Sequence, residues 1–345
     1  IAGLRRQETA FQNIYIKDFD TTVDRLPRGQ TQWTSTHWRY RGSAWYDGDP
    51  RGKVRIYFTD LIEPWQMDDR SPVSWIEIMR DMSWDGVEGR ELRVADSSMR
   101  GGMMRTRIAS IQDQPPMMFD RFTRWATGVG FSLQYLVTQN DDTYPPRPHV
   151  KLSQIFQSAL PYANRGGWTI SRETVNGFDA VRVRFGGVKG SSITYWFDPS
   201  RGFAIVKYQE VLDFRALRPD GGGYVRTQGF DVQQLQELRP GVWFPMQATE
   251  ITEAGEGSYQ RYNFQAADAV ADDPKLDPKI FTAPIPTGWM VTETRGGLTR
   301  SYVTMDGGAE QEIHEGEPMP RVKAGIAENP DGNTPAVATQ GRAVW

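Results

Sequence analysis

Ser191–Leu212 reads SSITYWFDPSRGFAIVKYQEVL: two β-strands joined at Asp198-Pro199-Ser200-Arg201-Gly202. The first strand carries Ile193, Tyr195 and Phe197 on one face and Trp196 on the other. Strand side chains alternate, so a sheet with one wet face should be polar at every second position. This strand is not. Either protein covers both faces, or one face lines an apolar cavity.

Outward from this segment the chain reads as strands. Downstream and just upstream lie Trp168–Ser171, Asp179–Phe185, Ile193–Phe197, Phe203–Phe214, Tyr224–Leu238, Trp243–Thr252 and Tyr259–Ala266. Their separators include Asn176-Gly177, Asp220–Gly223 and Pro240-Gly241. Successive strands with short turns predict an antiparallel meander, with no room for βαβ crossovers. The N-terminal part gives Ile14–Ile16, Gln32–Tyr46, Lys53–Leu61, Val73–Trp84, Arg90–Ala95 and Arg105–Ile111. In the third of these, Val54, Ile56 and Phe58 share a face opposite Arg55 and Tyr57. Short helices are expected at Leu4–Asn13, Met117–Ala126 (Met118, Phe122 and Trp125 at i, i+4, i+7) and Leu152–Leu160. Trp289–Thr294 and Ser301–Thr304 read as a final hairpin. After Asp306 the chain is rich in Gly, Pro, Glu and Ala, and reads as an extended tail, 306–345, that ends in Val344 and Trp345.

Composition fits an all-β core: 12% aromatic residues, 12 of them Trp, in 345 residues. A net charge of −3 argues against a general nucleic-acid binder. No run of 18 apolar residues is present, so no transmembrane segment is expected. There is no Cys, hence no disulfide, thiolate or Cys-based zinc chemistry. A start at Ile1 rather than Met favours a removed signal peptide over trimmed residues.

Two motifs in order, YWFDPSRGF at Tyr195–Phe203 and PGVWFP at Pro240–Pro245, resemble the LolA/LolB-like lipoprotein-carrier superfamily, which includes RseB-like sensor domains. Ile285-Pro286-Thr287-Gly288 is similar to the closing segment of those proteins, and the resemblance spans roughly Trp168–Met305. It implies a mainly β fold with a few short helices. The expected architecture is a large curved antiparallel sheet, a half-open barrel, with helices plugging its concave side. One such β domain is expected over 1–305, divisible into a strand-rich half 1–143 and a meander 150–305. The concave face would bind acyl chains or an apolar segment of a partner. The carriers are much shorter than this chain.

Expected ligand-binding residues are Tyr195, Trp196 and Phe197, with Met103, Met104, Met118, Phe122 and Trp125. Eight of the 12 Met lie between Met67 and Met118, and Met suits surfaces that accept varied apolar partners. The plainer reading is gap filling in a core. The aromatic stripe Trp33, Trp38, Tyr40, Trp45 reads as sheet packing, and Arg182 and Arg184 as a solvent face. Val344 and Trp345 are the expected partner-docking residues.

No catalytic signature is visible. Only His37, His149 and His314 occur, no HxxxH, GxSxG, P-loop or GxGxxG is present, and the paired acids Asp68-Asp69, Asp141-Asp142 and Asp272-Asp273 read as loops. The expectation is a non-enzyme without cofactor or metal, exported to the periplasm or cell envelope of a bacterium, and binding lipid or a lipidated protein. The alternative is a structural or accessory subunit of an envelope assembly that uses its tail as a docking arm.

Overall fold

The computed structural model describes residues 2–3, 5, 13–47, 53–62, 73–99, 102–113, 156–157, 167–186, 191–213, 225–255, 257–274 and 276–313. Its strands are β1 (Asn13–Leu26), β2 (Thr34–Asp47), β3 (Lys53–Ile62), β4 (Val73–Trp84), β5 (Gly89–Met99) and β6 (Gly102–Gln112). There follow β7 (Trp168–Val175), β8 (Phe178–Gly186), β9 (Ser192–Asp198), β10 (Ala204–Asp213), β11 (Val225–Arg239), β12 (Val242–Gly255) and β13 (Ser258–Ala271). The last three are β14 (Met290–Arg295), β15 (Leu298–Thr304) and β16 (Glu310–Glu312). β16 falls inside the span expected as tail.

These strands make one curved, open sheet in the order β16-β15-β14-β6-β5-β4-β3-β2-β1-β13-β12-β11-β10-β9-β8-β7. Two meanders, β1–β6 and β7–β13, meet where β1 pairs with β13 along Ile14↔Ala271 to Leu26↔Tyr259. The expected mainly β, half-open architecture is therefore present. One junction departs from the antiparallel rule: β14 runs parallel to β6, Met290 opposite Ile108. A parallel neighbour needs a connection that crosses the sheet, and residues 276–289 supply it. Arg55 on β3 donates to the Ile280 carbonyl (3.2 Å). Ser83 on β4 accepts from the Ala283 N–H (3.0 Å), and Arg90 on β5 donates to the Ala283 carbonyl (3.0 Å).

Alternation sorts the faces. In β3, Ile56 and Phe58 are fully buried on the inner face while Arg55 and Tyr57 point the other way. In β1 the buried residues on the inner face are Ile14, Ile16, Phe19, Thr21 and Val23, so the parity flips once; Asp24 is buried on the outer face. The cause is a pair of compensating bulges: Ile16 faces Ala269, Asp18 faces Asp268 and Phe19 faces Ala266. Each strand contributes one extra residue in turn, so both switch faces together and register resumes unchanged. This flip hides the period of β1 from a sequence reading, which places only Ile14–Ile16 in a strand. Its outward acids are matched by neighbours, Asp20 by Arg39 and Asp24 by Arg261 (2.7 Å). Gly42, opposite both Phe19 and Phe58, permits the close approach here. A Cβ at Gly42 would lie 1.9 Å from the Tyr57 carbonyl oxygen.

Two cores result. The large one lies mainly on the inner face, runs from β8 through β13 to β1–β4, and takes in Trp196 from the opposite face of β9. The small one, on the outer face, packs Leu92, Ala109, Ile111 and Val291 under Ala283, Trp289 and Tyr302. The strap 276–289 thus covers the side of the N-terminal meander that the large core leaves bare. The aromatic stripe divides accordingly: Tyr40 is in the inner core, whereas Trp45 stacks on Tyr15 outside (4.7 Å).

Candidate functional site

Strand register assembles the inner face row by row. Val183, Tyr195, Tyr208, Phe230, Glu250, Tyr262 and Val23 are successive cross-strand partners on seven strands. Val232, Ala248, Phe264, Thr21 and Tyr40 form the row beside them. Their rings and aliphatic groups touch in sequence, Tyr195 to Tyr208 at 5.1 Å and Tyr208 to Phe230 at 6.3 Å. On the other side the next row turns polar: Ile193 faces Glu210, and Glu210 faces Gln228. Glu210 is only 2% exposed, accepts a hydrogen bond from Gln228, and has Arg226 at 3.8 Å. Glu250, in the apolar row, is 3% exposed. The inner face is therefore largely apolar, with one buried carboxylate, Glu250, inside its central row and a buried ionic cluster along one side.

Over Tyr195 and Phe197 lies Phe156. Its ring meets Phe185 (5.0 Å), Tyr195 (5.7 Å), Phe197 (5.7 Å) and Trp168 (5.8 Å) in tilted-edge contacts, the preferred geometry for aromatic pairs. Phe156 and Gln157 are helical, within the segment expected to be a helix. Tyr195 and Phe197 therefore face a protein side chain. Trp196, on the opposite face, is also buried, but under charged groups. Arg182 (5.7 Å) and Lys207 (5.4 Å) lie over its ring and its indole N–H donates to Glu173. Long cationic side chains cover apolar surface with their stems while the heads stay wet. Both faces of β9 are covered by protein, and Arg182 belongs to that cover rather than to a free solvent face.

The Asp198–Phe203 turn is a lock between strands. The Asp198 carboxylate, fully buried, accepts from the Ser200 N–H (2.9 Å) and hydroxyl (2.5 Å) and from Arg201. Gly202 (φ 65°) and Phe203 (φ 67°) are both left-handed, and the Phe203 N–H closes on the Asp198 carbonyl (2.9 Å). The Arg201 guanidinium sits 5.1 Å from the Phe178 ring centre and 5.2 Å from that of Trp243. The two motifs that carry the sequence resemblance, Tyr195–Phe203 and Pro240–Pro245, thus touch through Arg201 and Trp243. Asp272 is similarly occupied, accepting from the Asn13 N–H (3.1 Å) and pairing with Arg239.

Of the residues expected at a ligand site, the fold brings Tyr195 and Phe197 together and sends Trp196 to the other face. Met103 and Met104 lie on β6, ten places from β9 in the sheet order. Their side chains, and Met118, Phe122, Trp125, Val344 and Trp345 entirely, lie outside the described residues. Sequence reasoning missed Phe156 and the ionic cluster. Leu152, Phe156 and Leu160 recur at helical spacing, and Glu210 shares a strand face with Tyr208 and Leu212; both signals were legible. Among the described residues no helix is long and apolar enough to cross a membrane, and no His, Asp and Glu side chains gather in a metal-holding group of three.

No family profile and no curated protein matches this chain. Two of the solved structures similar to it are as follows. One is a LolA superfamily protein from Nitrosomonas europaea, 12% identical over 82% of this chain and 96% of that one, TM-score 0.31. The other is a domain named for outer membrane lipoprotein sorting from Vibrio parahaemolyticus, 8% identical over 81% of this chain and 94% of that one, TM-score 0.27.

Proposed function

We propose that this chain is a non-catalytic envelope protein that binds an acyl chain, or the lipidated or apolar segment of a partner, on the inner face of its open sheet. One observation carries the reading: apolar rows cross the sheet and are flanked on one side by the buried Glu210–Gln228–Arg226 cluster. An apolar face with a polar edge matches an amphiphile, whose chain gains about 0.8 kcal/mol per buried methylene while its head needs hydrogen-bonding partners. Phe156 then acts as a resident plug, with its ring where an acyl chain would lie against Tyr195 and Phe197. The resemblance of the two motifs to lipoprotein carriers supports the same reading and a periplasmic or envelope location. The test is lipid extraction and mass spectrometry of the purified protein, together with titration of a dansyl-labelled fatty acid. Co-purifying acyl species, and dye uptake that rises in Phe156→Ala, are expected. Absence of acyl species together with no dye binding to either form overturns the proposal.

A further inference from the structure

The outer face of the same sheet differs chemically from the inner one. A groove of about 350 Å³ crosses β11, β12, β13 and β1. Its walls are two polar cross-strand rows. Gln247, Gln265 and Asp20 are register partners in one, Thr249, Asn263 and Thr22 in the other. Gln233 joins them because a bulge in β11 sets an extra residue opposite Gln247, a device that re-aims side chains next to functional sites. Ala248 and Phe264 form the floor, and since their side chains belong to the inner core the floor is main chain.

The chemistry of the groove is narrow. Its charge is cancelled, for Arg39 holds the Asp20 carboxylate through Nε at 2.8 Å and 3.0 Å. The side chains of Gln233, Gln247 and Gln265 hydrogen-bond to no other described residue, so three amides present both donors and acceptors. Asn263 is fixed in orientation by Asp24 (3.0 Å). Strands are about 4.8 Å apart and same-face residues about 6.7 Å apart along a strand, so two rows of three span about 10 Å by 7 Å. That is the footprint of one or two pyranose rings. Hydroxyl groups, each a donor and an acceptor, match amides that are the same. An ionic ligand finds no net charge here, and an apolar one finds a lining that is more polar than apolar. An extended peptide cannot add as a strand, because these four strands are interior to the sheet order.

We infer that this groove binds a neutral saccharide, independently of any ligand on the inner face. Isothermal titration of the full chain with maltose and with N,N′-diacetylchitobiose at millimolar concentration tests it. At least one sugar should bind, and Gln247→Ala and Gln265→Ala should each weaken it about fivefold, the worth of one net hydrogen bond. Gln311→Ala, exposed on the distant strand β16, should bind as the parent does. Both test positions are exposed, and thermal melts of the variants establish that they fold. Failure of both sugars to bind the parent chain, or unchanged binding in both groove variants, overturns the inference. Neither result bears on acyl binding, which is read by lipid extraction.

Discussion

Replacing Arg201 by Ala should cost about 2–4 kcal/mol of folding stability, the sum of two losses. The first is the partner of a carboxylate with no solvent exposure. Breaking a buried pair costs about 3–5 kcal/mol in general. The figure here is smaller, because Asp198 keeps its bonds from the Ser200 N–H and hydroxyl and because Arg201 is itself about a third exposed and screened. The second loss is two cation–π contacts, with Phe178 and Trp243, each worth about 0.5–1 kcal/mol at such a site. Arg201→Lys keeps the charge and loses the planar stack, so it should fall between, at about 1–2 kcal/mol. Urea unfolding followed by far-UV circular dichroism gives each value without relying on Trp emission. A cycle of Arg201→Ala and Trp243→Leu should show a coupling of about 0.5–1 kcal/mol. A cost below about 0.5 kcal/mol for Arg201→Ala, or additive effects in the cycle, would refute the idea that this turn fastens β9–β10 to β12.

Phe156→Ala should destabilise by about 3–5 kcal/mol, as for a buried ring removed from an aromatic cluster; the urea midpoint reads it, and a loss under about 1 kcal/mol would mean that Phe156 is no plug. Gly42→Ala should cost more than about 2 kcal/mol, because the new methyl group meets the backbone of β3. Gly177→Ala, at a turn with φ 81° and open space around it, should cost only about 1 kcal/mol of backbone strain; equal thermal shifts for the two would contradict the crowding argument. Burial raises the phenol pKa of Tyr15 and of Tyr302 above the ordinary 10.0. As pH rises the unfolded chain gives up these protons first, so their contribution is intact below pH about 10 and declines above it. Melting temperatures measured across that range should fall more shallowly in the Tyr15→Phe, Tyr302→Phe double variant; a parallel fall would exclude these two groups as the cause.

Strand content and most turns were legible because they follow from local chemistry. β4 has the bounds that its sequence suggests, and Asn176-Gly177 turns β7 into β8 with both residues left-handed. β1 was mostly missed, since its acids read as loop until Arg39 and Arg261 are beside them. The parallel entry of β14 next to β6 was also invisible, because nothing near Met290 specifies a partner so far along the chain.

Ser191–Leu212 marks the division. Alternation within Ser192–Asp198 determined by itself that Tyr195 and Phe197 share a face and that Trp196 has the other, and the Asp-Pro-Ser-Arg-Gly run determined the turn. What fills each face was decided only in three dimensions. Phe156 covers one and the stems of Arg182 and Lys207 the other, and neither neighbour can be read from the strand they cover. The same holds for the saccharide groove, where Thr22 and Asn263 stand 241 residues apart in the chain and 3.4 Å apart in space. Periodicity is a property of a few bonded residues, whereas a site is made by register between strands, which only the assembled sheet fixes.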